Sequence, residues 1–96
     1  MKRRRMHKFR LFVAADTLNS EQAESNLTAI CKEHLPGWYE IEVVDVFKDP
    51  ARALAEGIRM TPTLLKLTPL PQRRIIGTLA DDERVLHTLG LDSEKK

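Results

Sequence analysis

Three prolines bracket two short apolar runs in the C-terminal half of the chain. Residues 60–77 read MTPTLLKLTPLPQRRIIG, with Pro62 at the start of one run and Pro69 and Pro71 between the two. Proline has no N–H to donate to a β-ladder, so it is tolerated at strand starts and in loops but not inside a strand. The connection TPLPQ is too long for a two-residue hairpin turn. The pattern therefore predicts two short strands, TLLKL and RRIIGTL, joined by an open loop.

Two further strands are predicted in the N-terminal half. KFRLFVAA, residues 8–15, alternates apolar and basic side chains and then becomes apolar on both faces, as in a strand that enters a sheet interior. WYEIEVVDVF, residues 38–47, is rich in β-branched and aromatic residues and has a period of two from Tyr39 to Val43. Residues 16–37 lie between these strands, with apolar side chains at helical spacing. That segment predicts a helix capped by Asn19 and Gln22 and ended by Pro36-Gly37.

Two shorter helices follow. Asp49 as N-cap, Pro50 at the first helical position and Gly57 beyond the last turn are the asymmetry expected of a short helix. We expect Leu54 and Ile58 to pack that helix against the sheet. The last helix is predicted from the capping pair Thr78 and Asp81 and ends near Gly90. Its apolar stripe consists of Val85, Leu86 and Leu89.

The order strand, helix, strand, helix, strand, strand, helix defines a fold class. A right-handed crossover between the first two strands followed by an antiparallel hairpin predicts an α/β, thioredoxin-like β-α-β-α-β-β-α sandwich. We expect one domain over residues 8–91, a basic disordered arm over 1–7 and a tail over 92–96. In such folds the residue before the third strand is usually a cis-proline, a position that Pro62 occupies.

Composition excludes several classes of protein. Apolar residues make up 42% of the 96 residues, but they form no stretch long enough to span a bilayer, and the basic start lacks the apolar core of a signal peptide. We therefore expect a cytoplasmic protein. Six of the 16 Lys and Arg lie in the first ten residues, which leaves an acidic body with five aromatic residues. This distribution argues against a nucleic-acid partner.

The sequence offers little that could support catalysis. The turn after the first strand, AADTLNSEQ, lacks the cysteines that carry redox chemistry in thioredoxin-like folds, and Cys31 falls on the apolar side of the first helix. His7, His34 and His87 lack metal-ligand spacing, and the four glycines form no phosphate-binding loop. We therefore predict a protein that is not an enzyme and that has no cofactor, no metal site and no catalytic residue.

The stretch TPTLLKLTPLPQRRIIGTL closely resembles the signature of the KaiB family of circadian-clock proteins. The segments FRLFVAADTLNS, NLTAICKEHLPGWYEIEVVDVFKDPARA and ERVLHTLGL also resemble that family, so the resemblance spans about residues 8–91. It implies a non-enzymatic clock or timing regulator that binds a KaiC-type ATPase ring and modulates its phosphorylation cycle.

The resemblance further implies a change of fold. Family members form a ground-state tetramer in which the C-terminal half follows the order β-α-β-β-α-α-β, and a rarer thioredoxin-like monomer binds KaiC. It implies that the unbound protein is a homo-oligomer, tetramer or dimer. Prolines of this stretch change isomer with the switch, so Pro62, Pro69 and Pro71 become candidates for its slow step. Leu70 stands where family members often have a third consecutive proline.

The main prediction leaves open a KaiA-type partner and an alternative function. Glu40 and Glu42 make the second strand acidic, which argues against the KaiA-type partner that this strand meets in cyanobacterial clocks. The protein could instead be a thioredoxin-like sensor or a redox-derived module that relies on Cys31 and does not bind KaiC.

Overall fold

The strands and helices follow the predicted order. The computed structural model describes residues 5–91. Most of the predicted basic arm and the whole tail lie outside these residues, although His7, assigned to the arm, is the first residue of a strand. The described elements are β1 (His7–Val13), α1 (Leu18–His34), β2 (Tyr39–Asp45), α2 (Pro50–Ala55), β3 (Thr63–Thr68), β4 (Arg73–Ile76) and α3 (Asp82–Leu89). The β-α-β-α-β-β-α prediction is confirmed.

The sheet places β2 and β4 at its edges, in the order β2-β1-β3-β4. β1 pairs with β2 in parallel, as a crossover through α1 requires, and β3 is antiparallel to both β1 and β4. A register irregularity between Lys8 and Phe9 shifts the start of the β1–β3 ladder. The two central strands are therefore paired on both sides, whereas β2 presents one free edge among the described strands.

The larger core lies on the face of the sheet that α1 and α3 cover. Alternation along β1 sends Phe9, Leu11 and Val13 into this core, and Leu64 joins them from β3. α1 contributes four buried residues: Ala23, Leu27, Ile30 and Cys31. α3 contributes the predicted apolar stripe: Val85, Leu86 and Leu89. Because these side chains come from every third or fourth position, each helix buries one face only.

The opposite face holds a smaller core under α2. Its buried members are Phe12, Val44, Leu65 and Ala53. The prediction that Leu54 packs α2 down is wrong, because Leu54 is exposed over 82% of its surface while its neighbour Ala53 is buried. A helix of six residues buries so few positions that a small side chain can occupy the contact.

Two of the predicted caps are also wrong. Thr17, not Asn19, is the N-cap of α1, and its Oγ1 accepts the Ser20 N–H at 3.4 Å. Asp81 caps α3 by accepting the Arg84 N–H at 3.2 Å, so it occupies the N-cap position itself and Thr78 lies outside the helix. In both helices several polar residues precede the first turn, and spacing alone does not choose among them.

The three prolines flank β3. Pro62 is buried immediately before this strand, and the Thr61–Pro62 bond is cis, as predicted for this position. Thr68–Pro69 and Leu70–Pro71 are also cis and belong to the loop that joins β3 to β4. The Gly77 N–H donates to the Pro62 carbonyl at 2.9 Å and closes the other end of the hairpin.

Candidate protein-docking surface

Large apolar side chains are exposed around α2. Phe47 precedes the helix, Leu54 lies on its outer side and Met60 follows it, with 76%, 82% and 60% of their surfaces exposed. Ile76 of β4 is 55% exposed. We call these four residues, Phe47, Leu54, Met60 and Ile76, the α2 surface.

The pleat of β4 places Ile76 on the α2 side of the sheet. Ile75 packs against the core beneath α1 and α3. Successive side chains of a strand point to opposite faces, so Ile76 points to the face that α2 occupies. Ile76 is paired with Thr63, the first residue of β3, which follows Met60 closely in the chain. The α2 surface is thus assembled from α2, its flanking loops and the end of an edge strand.

Ion pairs connect α2 to the strands beside it. Glu42 of β2 lies between two guanidinium groups, with Arg10 Nε 2.8 Å from its Oε1 and Arg52 Nη1 2.8 Å from its Oε2. Arg52 also approaches Asp49, the N-cap residue of α2, at 3.7 Å. One carboxylate therefore links β1, the edge strand β2 and α2.

The C-terminal end of α2 has its own anchors. Arg10 Nη1 lies 3.5 Å from Glu56 Oε2. Arg74 of β4 donates to the carbonyl of Glu56 at 2.8 Å and to that of Gly57 at 3.4 Å. These donors satisfy carbonyls that have no partner within a helix end. The two clusters of polar contacts fix the orientation of a helix that has little buried apolar area of its own.

Glu42 makes the stability of this side of the sheet dependent on pH. Its hydrogen bonds from Arg52 and Arg10 lower the pKa of the carboxyl from 4.5 to about 2. A carboxyl with a lowered pKa stabilises the fold above its ordinary pKa, and that contribution is lost as the pH falls from about 4.5 to about 2. Because the Glu42 side chain is 47% exposed, solvent screening limits the effect to under about 1 kcal/mol.

We expect Glu42→Gln to reduce the acid sensitivity of the protein. Urea midpoints measured at pH 6 and pH 3 should fall less on acidification in the variant than in the wild-type chain. Added salt should shrink the difference, because it screens exposed pairs. Glu40→Gln, an exposed glutamate two residues away on the same strand, is the matched control. An equal response of Glu42→Gln and wild type would contradict the assignment.

The turn after β1, which carries the redox cysteines in thioredoxin-like folds, has no cysteine in this chain. The turn between β1 and α1 contains Ala14, Ala15 and Asp16, and the single cysteine, Cys31, is fully buried in α1. Burial raises the pKa of the Cys31 thiol from 9.0 to about 12. A buried thiol with a raised pKa is a poor nucleophile, which argues against the redox-derived alternative.

A cavity of about 540 Å³ lies beside the same turn, at the carboxyl ends of β1 and β2. Its charged lining includes two basic residues, Lys48 and Arg52. The other charged lining residues among those described are carboxylates: Asp16, Glu21, Glu24, Asp45 and Asp49. Within residues 5–91 no three His, Cys, Asp or Glu side chains are grouped so that they could hold a metal ion. No helix in that range is long and apolar enough to cross a membrane.

The structure does not bring the three candidate prolines together. Pro62 and Pro69 lie at opposite ends of the six-residue β3, and Pro71 is exposed in the loop beyond it. Their predicted role in a fold switch stays a prediction. Sequence reasoning missed the α2 surface, although the exposed Phe47 and Met60 follow from their positions in loops on either side of a short helix.

Solved structures with a similar backbone define the class of fold. The N-terminal domain of Synechococcus elongatus SasA superposes with a TM-score of 0.73 at 17% identity, covering 100% of this chain and 92% of that one. Chloroplastic thioredoxin z gives a TM-score of 0.75, also at 17% identity, over 94% of this chain and 81% of that one. The protein therefore has a thioredoxin-like fold, here without a cysteine in the turn after β1.

Sequence comparison assigns the family. The KaiB domain model matches residues 10–91. The circadian clock protein KaiB3 of Synechocystis sp. is 45% identical over 83 residues, which cover 86% of this chain and 79% of that protein. The circadian clock oscillator protein KaiB of Prochlorococcus marinus is 46% identical over 92 residues, covering 96% and 76%. The chain belongs to the KaiB family, whose members are clock regulators and not known enzymes.

Proposed function

We propose that this protein is a non-enzymatic timing regulator that binds a KaiC-type ATPase ring through the α2 surface and thereby modulates the phosphorylation cycle of that ring. The observation that carries the proposal is the exposure of Phe47, Leu54 and Met60 in α2 and its two flanking segments of a KaiB-family chain. The predicted cytoplasmic location is part of the proposal.

The α2 surface has the composition of a protein interface. Aromatic residues and methionine are enriched in interfaces, and contiguous apolar side chains ringed by charges mark sites of association. Burying one such side chain contributes about 1.5–3 kcal/mol. The charged residues Arg52 and Glu56 lie two positions to either side of Leu54 in the chain and pair with Glu42 and Arg10 of the neighbouring strands. The surface therefore combines an apolar centre with charged groups that can set orientation.

We further propose that a slow fold switch limits binding, as the resemblance implies. Packing on the α2 side supports this proposal. Among the described residues, the core under α2 has four buried members against fourteen in the core beneath α1 and α3, so detaching this helix sacrifices comparatively little apolar contact. Segments with few buried contacts open at a lower free energy than the rest of a domain. The small core under α2 therefore supports rearrangement of this segment at a lower cost than the elements over the larger core.

The prolines enter this proposal by family resemblance. Rotation about an X–Pro bond takes tens to hundreds of seconds, so any rearrangement that includes such a rotation is slow. Pro62, Pro69 and Pro71 are the proposed slow elements, and the unbound protein is proposed to be a homo-oligomer. A partner that binds only the thioredoxin-like form collects it by mass action, and the apparent affinity falls in proportion to the population of that form.

Mixing the protein with a KaiC-type ATPase and nucleotide tests the proposal. Light scattering coupled to size exclusion should show an oligomer alone and, after hours of incubation, a complex with the ring. The rate of complex formation should level off as the concentration of the ring rises, because a step within this protein becomes limiting. No complex after overnight incubation, with the chain a monomer at every concentration, would favour the sensor alternative instead.

A further inference from the structure

Lys66 lies on β3 with little of its surface exposed. The residue is only 5% exposed and its ammonium group makes no hydrogen bond or ion pair with any residue between 5 and 91, but this nitrogen is not itself buried, because no buried side-chain nitrogen in that range lacks a partner. Lys66 lies on the same face of β3 as Leu64, which belongs to the core beneath α1 and α3. The Lys66 stem is therefore buried while its ammonium group reaches solvent, as long basic side chains commonly do. The ammonium group is thus accessible to an anion that approaches from outside.

The nearest charged neighbour on the sheet has the same sign. Lys66 is directly paired with Arg73 in the β3–β4 ladder. Like charges directly opposite each other destabilise a sheet. The Arg73 side chain donates to the Gln72 carbonyl at 3.3 Å, and the described residues offer its guanidinium no carboxylate. Burial, with a further contribution from Arg73, lowers the pKa of Lys66. The two cations thus lie opposite each other, and no carboxylate within the described part of the chain pairs with either.

Lys66 and Arg73 both line a cavity. A space of about 330 Å³ lies between the β3–β4 hairpin and the C-terminal end of α3, and no acidic residue among residues 5–91 lines it. Its lining includes the hydroxyl-bearing Thr88 and these further residues: Lys66, Pro71, Arg73, His87 and Gly90. The backbone carbonyls of Leu86 and His87 at that helix end already accept the N–H groups of Leu91 and Gly90.

We propose that this cavity binds a tetrahedral oxyanion, a phosphoryl group, between Lys66 and Arg73. Ammonium and guanidinium groups are the side chains that bind phosphate, the first as a point charge and the second through a planar fork of donors. Thr88 adds a hydroxyl donor. The cavity exceeds the size of one phosphate, so it accommodates the free anion with water or a phosphomonoester. Because the cavity and the α2 surface lie on opposite faces of the sheet, the site is independent of the proposed ATPase interface.

Titration of the full-length, isotope-labelled protein with inorganic phosphate tests this assignment by NMR. Potassium chloride at the same ionic strength is the reference. We expect saturable shifts at residues 66, 73 and 87–90 with phosphate only. Lys66→Met should weaken binding by at least about 10-fold, because a charge-assisted hydrogen bond is lost, and Arg73→Gln by about 3- to 10-fold. Lys48→Met removes one positive charge from an exposed lysine that lines the other cavity and should leave the affinity unchanged.

The source of the phosphoryl group is resolved in the same experiment with adenosine monophosphate. Binding that depends on Lys66 identifies a phosphomonoester site, whereas binding of inorganic phosphate alone identifies a site for the free anion. Identical shifts with phosphate and chloride, or a Lys66→Met variant that binds as tightly as wild type, overturn the proposal. If Lys66→Met does not fold, Arg73→Gln at its exposed position decides, and an unchanged affinity in that variant also overturns it.

Discussion

Replacing Leu54 and Met60 together by glutamate is expected to abolish binding to a KaiC-type ATPase while leaving the fold intact. Both side chains are largely exposed, so the substitution should change the free energy of unfolding by less than about 0.5 kcal/mol per site. In a complex, the two carboxylates would be desolvated in an apolar contact. Loss of central apolar contacts and burial of unpaired charges predict at least a 100-fold loss of affinity, on the order of 3 kcal/mol. Titration calorimetry with the ring checks the affinity, and circular dichroism checks the fold.

Leu18→Glu is the matched control for this experiment. Leu18 is 67% exposed, like the two target residues, but it begins α1, which covers the opposite face of the sheet. An acidic residue in the first turn of a helix is compatible with the helix dipole, so the control should fold normally. If the double variant binds as tightly as Leu18→Glu and wild type, the α2 surface is not the interface.

Phe12→Ala is expected to cost about 3–5 kcal/mol of stability. Phe12 is fully buried and is the largest side chain in the small core under α2, where it is grouped with Val44, Ala53 and Leu65. The free energy of unfolding of a domain is about 5–15 kcal/mol, so this single truncation removes a large share of the total. Denaturant unfolding of wild type and variant measures the difference.

Leu54→Ala gives the reference value for that measurement. It removes a comparable apolar side chain from the outer side of the same helix, and its effect should stay within about 0.5 kcal/mol. A loss below about 1 kcal/mol for Phe12→Ala would show that the core under α2 contributes less than its burial indicates. A variant that keeps α1 and α3 folded while α2 exchanges its amide protons freely would show that the two cores unfold separately.

The strands were predictable because their signals are local. Alternation along β1 and the β-branched residues of β2 fix which residues enter the sheet. The prolines excluded a tight hairpin and thereby located both β3 and β4. The start of α2 and the end of α3 followed as well, because Pro50 and Gly90 act at these helix ends through their own backbone geometry, whereas the N-caps of α1 and α3 did not.

The candidate site was harder to predict because it depends on which side of each element meets the sheet. The six residues of α2 are too few to show a periodic pattern, so the sequence did not indicate whether Ala53 or Leu54 packs against the sheet. Leu54, the larger side chain, is the exposed one. Lys66 carried a usable signal, since alternation in TLLKL places it on the same face as the buried Leu64. Its position opposite Arg73, with no carboxylate from residues 5–91 beside it, becomes visible only with the strand register and the position of α3.

Hydrogen exchange of the protein alone and in complex with a KaiC-type ATPase tests the central claim most directly. Binding through the α2 surface predicts slowed exchange at amides of residues 47–60 and at Ile76. Exchange on the outer side of α1, between Glu21 and Lys32, should be unchanged. Protection confined to α1, or the absence of any complex, would contradict the proposal that the α2 surface binds the ATPase ring.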